Sequence, residues 1–376
     1  MILRVCREGS VESLQSMLQE VQNHGRVKSI LILACDADGF TPENVDPVLQ
    51  ECGLPLLGGI FPQIIAEGEN LEKGTIVAGL FYDTVSLYVP GLSDDDRVMD
   101  DAVDEALTGV DVEDRTFFVF VDGLSSRISA FIDGLFNNLG LMPNYIGGGA
   151  GSLSFEQKPC LFTNLGLKGD GAVVGVSEVR SGIGVAHGWH PITKTMKVTE
   201  SEKNRVISLN WEPAFQVYKS AIKEQSGLSF DEQPFFDIAK AHPLGIVKLD
   251  AEMIVRDPLF TENDELVCVG EVPVNSFVYI LRGNMDSLIE GAVQARDIAL
   301  NNYHGDPNKA SMLFMDCISR VLFMGEEFKK ELQAADCGLT TFGALTIGEI
   351  ANTGDAYLEF YNKTAVAGIL GDPHAE

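Results

Sequence analysis

Several classes of protein are excluded by what this chain lacks. Among its 376 residues no apolar run approaches the ~18 residues needed to span a bilayer. The opening Met1-Ile-Leu-Arg-Val-Cys6 passes straight into polar sequence, without the basic segment and apolar core of a signal peptide. Basic residues are scarce: 27 Lys and Arg stand against 55 Asp and Glu, a formal charge of −28. Such a surface is repelled by phosphate backbones and anionic headgroups, which argues against a nucleic-acid platform or binding to anionic lipid surfaces, and membrane insertion is not expected in the absence of a long apolar run. The seven cysteines (6, 35, 52, 160, 268, 317 and 337) are odd in number, scattered and never spaced as CxxC, so neither a disulfide framework nor a zinc knuckle is expected. There is no GxSxG elbow, no GxxxxGK(S/T) loop, no HExxH and no EF-hand loop, which lowers the expectation of an enzyme. The expected state is a reduced, soluble, cytoplasmic protein.

Apolar material is sufficient for real cores. Hydrophobic residues make up 45% and charged residues 22%, with mean hydropathy +0.09, so general disorder is excluded. At roughly 150 residues per domain the length suits two or three domains.

One pattern of elements recurs three times. In the first copy Val11, Leu14, Leu18 and Val21 share a helical face behind Ser10 as cap, followed by the apolar strand Ile30–Cys35. Thr41-Pro42-Glu43 starts a second helix that Gly53 is expected to stop, and Leu54–Gly59 ends in small residues. In the second copy Ser93–Asp96 is expected to place acids at a helix N-terminus. The strand Thr116–Val121, a helix marked by Ile128, Phe131, Ile132, Leu135 and Leu139, and Asn144–Gly151 follow. In the third, Met285, Leu288, Ile289, Ala292 and Val293 mark a helix before the strand Ser311–Met315. Phe328 and Leu332 lie on the next helix, and Thr341–Gly348 follows Gly338. Paired β-rich tails close each copy, the third around Ala356–Phe360. The spacing from strand to small residues is close to one βαβ unit, ~30 residues. Continuous apolar strands suit a sheet covered on both faces, and alternating tails suit antiparallel hairpins. The expected fold class is therefore α/β of the mixed α+β kind: layered helix–strand–helix–strand units with mixed sheets, internally duplicated, in two domains. The domains are 1–210, with sub-repeats about 1–92 and 93–210, and 211–376. Between the second and third copies, residues 193–209 read as strands, Pro213–Gln225 as a helix and 226–240 as irregular.

The glycine and aromatic motifs carry a family resemblance. Asp122-Gly123, Ile146-Gly-Gly-Gly-Ala-Gly151, Gly169-Asp-Gly-Ala-Val173, His187-Gly-Trp-His-Pro191 and Leu209-Asn-Trp-Glu-Pro-Ala214 lie in the first domain. Val255-Arg256, Val269-Gly-Glu-Val-Pro273, Cys317-Ile-Ser-Arg320, Phe342–Ile350 and Asn362-Lys-Thr364 lie in the second. As an ordered set they resemble the FIST family of intracellular signal-transduction sensory proteins, through both its N- and C-terminal domains. The chain departs from the family pattern at Gly59-Ile60, where Gly-Glu is usual, and at Trp211-Glu212, where a Gly before Pro-Ala is usual. The resemblance implies a sensory module binding a small-molecule ligand, with an amino acid proposed. A branch of the family looks like haem-binding nitric-oxide sensors acting on separately encoded histidine kinases. Haem is thus a candidate cofactor. A separately encoded signalling protein, a histidine kinase or a cyclic-dinucleotide enzyme, is the implied partner, and a homodimer is a further candidate.

The candidate site residues each have two readings. Gly147, Gly148, Gly149, Gly151 and Ser152 either bring backbone close to a ligand or mark a tight strand crossing. Gly343 and Thr346 would form the facing wall. His187, Trp189 and His190 either contact a ligand, with His187 or His190 ligating iron only if haem binds, or pack a core indole beside a satisfied imidazole. Arg127 and Arg320 follow equivalent strand ends, where they either clamp carboxylates or haem propionates or pair with local acids. Cys317 is a nucleophile or a buried thiol. Glu349, like Glu271, follows a glycine and suits recognition of an amino group. The alternative function is a hydrolase or transferase that uses Cys317 or Glu349; a third reading is a purely structural interaction module.

Overall fold

The computed structural model describes residues 1–249, 251–353 and 357–371; Ala356 of the expected third tail lies outside them. One plan is carried out three times. Each unit has an edge strand, a helix, a buried central strand, a second helical segment, a parallel partner strand, a hairpin and a return strand. The first unit runs β1 (Ile2–Cys6), α1 (Val11–Gln22), β2 (Ser29–Cys35), α2 (Pro42–Gln50), β3 (Leu56–Phe61), the hairpin β4 (Gln63–Ala66) and β5 (Glu69–Leu71), and β6 (Thr75–Leu80). The second runs β7 (Thr84–Pro90), α3 (Met99–Leu107), β8 (Thr116–Asp122), α4 (Ile128–Leu139), β9 (Asn144–Ala150), the hairpin β10 (Leu161–Thr163) and β11 (Gly166–Lys168), and β12 (Gly171–Ser177). The third opens with β13 (Arg180–Ala186) and is then interrupted. The inserted segment holds β14 (His190–Pro191), β15 (Met196–Glu202), β16 (Arg205–Leu209), β17 (Glu212–Pro213), α5 (Ala214–Ser226), α6 (Phe235–Ala239), β18 (Leu244–Ile246), β19 (Ile254–Arg256), β20 (Pro258–Glu262), β21 (Glu265–Cys268) and β22 (Phe277–Arg282). The unit resumes with α7 (Met285–Asn302), β23 (Ser311–Cys317), α8 (Ile318–Met324), α9 (Phe328–Ala335), β24 (Thr340–Thr346), the hairpin β25 (Glu349–Ala351) and β26 (Glu359–Tyr361), and β27 (Ala365–Gly371).

Local chemistry accounts for the starts of α1 and α2. Ser10 accepts the Ser13 N–H at the start of α1. Asn44 accepts the Thr41 N–H at 2.8 Å, closing the start of α2 with Pro42 in its first turn. Three expectations are corrected. Gly53 is not a left-handed stop: α2 already ends at Gln50, with Glu51 in right-handed helical geometry. Asp94–Asp96 lie in a turn ahead of α3, closed by the Arg97 N–H on the Asp94 carbonyl, with Arg127 donating to the carbonyls of Asp94 and Arg97; Asp100 and Asp101 occupy the first turn of α3 instead. Residues 226–240 include the short helix α6, held by rings of Tyr218, Phe230 and Phe235 packed around one another.

The sheet registers reveal a cyclic exchange. Each central strand pairs parallel with its partner (β2–β3, β8–β9, β23–β24) and antiparallel with its return strand (β6, β12, β27). Each hairpin leaves its own unit. β4–β5 adds to β24 of the third sheet, β10–β11 to β3 of the first, and β25–β26 to β9 of the second. Every partner strand therefore has its open edge covered by another unit's hairpin, which satisfies the ladder and removes a site for aberrant pairing. β3, β9 and β24 approach one another in the middle of the body, where Phe61 and Phe120 meet edge to face at 6.0 Å. The inserted strands, with β15 and β16 among them, build a separate nine-stranded sheet.

The small residues serve this packing. Gly58, Gly147 and Gly343 are opposite Ile32, Val119 and Phe314, and a Cβ on any of them would lie within 2 Å of that residue's carbonyl oxygen. Gly182 and Gly184 let the Ala295 and Ala299 turns of α7 lie directly on β13. No helix among the described residues is long and apolar enough to cross a membrane. Gly147→Ala is expected to destabilise the protein by roughly 1–3 kcal/mol or more, since the partner backbone cannot yield. Gly25→Ala, with open space around it, is expected to be near neutral. Urea unfolding midpoints of the two variants check this.

Candidate functional site

The threefold register shows which buried residues the fold itself does not require. At the hairpin position facing the residue after the crossing glycine stand Leu161, Ile64 and Glu349. Two residues beyond Ile32, Val119 and Phe314 on the central strands stand Ala34, Val121 and Asp316. At the ends of the partner strands stand Phe61, Ala150 and Thr346. Two units use apolar side chains at each place, while the third uses a carboxyl or a hydroxyl. All of these third-unit groups are fully buried. Burying a carboxyl where a leucine fits costs free energy, so these exchanges mark a candidate site.

Arg320, on α8, is the centre of the site and has no solvent exposure. Its Nε and Nη2 contact Glu331 at 3.2 and 2.6 Å, and Nε lies 3.0 Å from Asp316 Oδ1. Nη1 donates to the carbonyl of His187 and Nη2 to that of Leu288, each at 2.8 Å. Burial alone would favour loss of its charge, but Glu331 and Asp316 outweigh it and raise its pKa. One guanidinium cannot balance two carboxylates at close range. Asp316 is the one that yields: burial and then the neighbouring acids, Glu331 first, push its pKa well up against the pull of Arg320. Its buried Oδ2 finds no hydrogen-bond partner among the described residues.

Glu349 completes the inner group. Thr346 Oγ1 donates to its Oε1 at 2.7 Å and the Thr364 N–H to its Oε2 at 3.2 Å. Burial nevertheless raises its pKa to about 8, so the carboxyl is neutral at pH 7. Cys317 hydrogen-bonds this carboxyl and accepts from Ser319 Oγ at 3.0 Å. Burial and then the Glu349 charge push its thiol up to about 12, so it is no thiolate nucleophile at neutral pH.

An outer ring ties the inserted sheet to the three-unit body. Lys363 Nζ pairs with Asp257 at 2.9 Å and lies 5.3 Å from the Trp189 ring centre, while its carbonyl accepts the indole N–H. Arg256 donates to the carbonyls of Glu271 and Phe360; its pKa falls to about 10 through burial. His187 Nδ1 accepts the Trp189 N–H, which leaves the ring proton on Nε2, 2.9 Å from Glu252 Oε1 but off the line of a good hydrogen bond. Glu252 also lines a cavity of about 460 Å³ between α4 and β26, together with Asp133, Phe136, Lys248, Tyr357 and Tyr361. Tyr361 is opposite Glu349 in the β25–β26 ladder. The cavity thus adjoins the buried group at two points.

Most of the residues expected from sequence gather here. Gly148 pairs with Glu349, Gly149 donates its N–H to Gly348, and Gly147 crosses Val119 on the same strand. His187, Trp189, Cys317, Arg320, Thr346 and Glu349 lie in one network. The others do not join it. Gly343 crosses Phe314 deeper in β24. Gly151 donates to the Ile60 carbonyl, and Ser152 Oγ donates to Asp36 at 2.7 Å, at the junction of the first two units. Arg127 caps backbone carbonyls near α3. His190 is exposed in β14 opposite Arg282.

The histidine pair does not fit haem. The two nitrogens of His187 face the Trp189 N–H and Glu252 in a packed interior, and His190 is exposed on β14 opposite Arg282. Among the described residues no three His, Cys, Asp or Glu side chains are grouped to hold a metal ion. Sequence reasoning missed Asp316, Glu331, Asp257, Glu252 and the role of Lys363. The available signal was a lone Asp closing the otherwise apolar Met312–Met315 run, which periodicity treats as a strand end.

Residues 29–212 match the family model of the FIST N domain, and residues 214–352 match that of the FIST C domain. No curated protein matches the chain.

Two outcomes follow from the site. Glu349 titrates at about 8 when folded and near 4.5 when unfolded. Between those values the folded state holds one more proton, so this group's contribution is full below pH 4.5, falls by about 1.4 kcal/mol per pH unit, and is gone above pH 8. Glu349→Gln is expected to remove that decline, so that its stability relative to the parent rises from pH 5 to pH 8 in urea unfolding; parallel curves would refute the neutral carboxyl. Haem added to the protein is expected to give a visible spectrum unaffected by His187→Ala or His190→Ala.

Proposed function

The chain belongs to the FIST family, and from that premise we propose that it is a sensor for a small amine-bearing molecule, an amino acid in the simplest case. FIST domains are sensory, small-ligand-binding domains of signal transduction. The observation that carries the reading is the α4–β26 cavity abutting a buried polar group that two of the three units replace with apolar residues. Asp133 and Glu252 supply negative charge for an ammonium group. Phe136 and Tyr357, with ring centres 4.8 Å apart, supply faces for it or for an apolar side chain. Lys248, paired with Glu359, supplies a cation that a ligand carboxylate can recruit. Burial pushes the Asp133 carboxyl up while Lys248 opposes that shift, so a bound ammonium would favour its charged form.

The coupling runs through Glu252. A ligand that draws this carboxylate into the cavity removes it from His187, whose carbonyl holds Arg320. The contact between the inserted sheet and the three-unit body then changes, and a separate histidine kinase or cyclic-dinucleotide enzyme reads it. The thiol of Cys317, held protonated, argues against the hydrolase alternative.

Calorimetric titration of the protein with an amino-acid and amine panel tests the proposal. At least one member is expected to bind saturably, about tenfold or more weaker in Glu252→Gln and Asp133→Asn, and unchanged in the surface control Glu12→Gln. Uniform silence across the panel would sink it.

A further inference from the structure

The cyclic exchange creates three equivalent seams, each between a unit's second helical segment and the hairpin that another unit lays on its sheet. They differ in what stands four residues before the helix end: Asp46 on α2, Leu135 on α4 and Glu331 on α9. In the first unit Asp46 turns into the seam and closes it. Its Oδ1 accepts the Leu167 N–H at 2.7 Å, and Gly166 is bare enough that a Cβ there would lie 2.4 Å from the Asp46 carboxyl carbon. In the second unit Leu135 points into the core, and the seam is the α4–β26 cavity. In the third unit Glu331 turns inward to Arg320, so nothing closes the gap between α9 and the β4–β5 hairpin. A cavity of about 350 Å³ remains there, lined by residues from both halves of the chain.

The floor of this third seam differs from that of the second. Ile65, Met312, Phe314, Leu332 and Ala335, all buried, form it. None of the buried polar atoms left without a partner among the described residues lies in that floor. Its mouth carries Glu67, which pairs with Arg7, and Asp336; Arg7 is shared with Glu69 outside the lining. The polar lining, Glu67, Gln333, Asp336, Thr340 and Thr341, stands at the rim, so a charged or strongly polar group driven down to the floor would lose hydration without gaining a partner there, and an anion would also meet the two carboxylates on the way in. An apolar molecule loses nothing and fills a void of the size that small ligands occupy.

We infer that the α9–hairpin seam is a second ligand site, which takes an uncharged, mainly apolar small molecule of about bicyclic size. It does not depend on the amine reading of the other cavity. Because β4–β5 belongs to the first unit and α9 to the third, an occupant bridges two units at the point where the chain closes its cycle.

Indole is a suitable probe, with indole-3-acetate as its anionic counterpart. Titration of the whole protein by calorimetry, with ligand-observed NMR, is expected to show saturable one-to-one binding of indole and at least tenfold weaker binding of indole-3-acetate. Ala335→Leu, which thickens the α9 wall, and Thr340→Trp, placed at the exposed mouth, are each expected to weaken indole at least tenfold. Glu252→Gln, in the other seam, is expected to leave indole binding unchanged, which separates this proposal from the amine sensor. The proposal is overturned by the absence of saturable binding, by indole binding that survives Thr340→Trp in a folded variant, by loss of it in Glu252→Gln, or by equal affinity for the anionic probe.

Discussion

Arg320 and its carboxylates are the constraint on which the rest of the structure depends. The guanidinium reaches Glu331 on α9, Asp316 on β23, and the carbonyls of His187 and Leu288 on either side of the inserted segment. It joins two ends of a unit that the chain interrupts for almost a hundred residues. A buried charge of this kind is seldom a source of net stability, because desolvation offsets the Coulomb gain. Removing one partner would leave an uncompensated buried charge, which penalises any arrangement that draws the His187 or Leu288 carbonyl, at either end of the insertion, away from the guanidinium.

The exchange of hairpins explains why that constraint lies where it does. Three parallel strand pairs meet at the middle of the body, and the first and second units fill their strand ends with Phe61, Ala150, Leu161 and Ile64. A fold of this plan needs nothing more polar. The third unit, which alone carries the insertion, substitutes Asp316, Thr346 and Glu349. Arg320 holds Glu331 inward, away from its seam, so the polar centre and the open α9 cavity lie on either side of one side chain.

The ligand response we propose uses the same arrangement. The α4–β26 cavity touches the network through Glu252 and through Tyr361 opposite Glu349. A packed polar network with little slack has few ways to absorb a displaced carboxylate, and small shifts at such a point are transmitted as movement of whole elements.

Much of the fold was legible in the sequence. Capping residues, the 3.6-residue periodicity of α1 and α4, the continuous apolar strands and the glycines before each hairpin depend on neighbours within a few positions, so the thrice-repeated plan, the mixed sheets and the family could be read directly. Cys317, Arg320, Thr346 and Glu349 were also picked out, because polar residues at strand ends stand out against apolar runs. Their partnerships were not readable. Which hairpin covers which sheet, that Arg320 meets a carbonyl 133 residues away, that Glu349 is neutral while Glu331 pairs with the cation, and that one seam is plugged and two are open were decided only by the tertiary structure. Local pattern reports the backbone's preferences; burial, dielectric and contact between distant segments arise only once the three sheets have closed on one another.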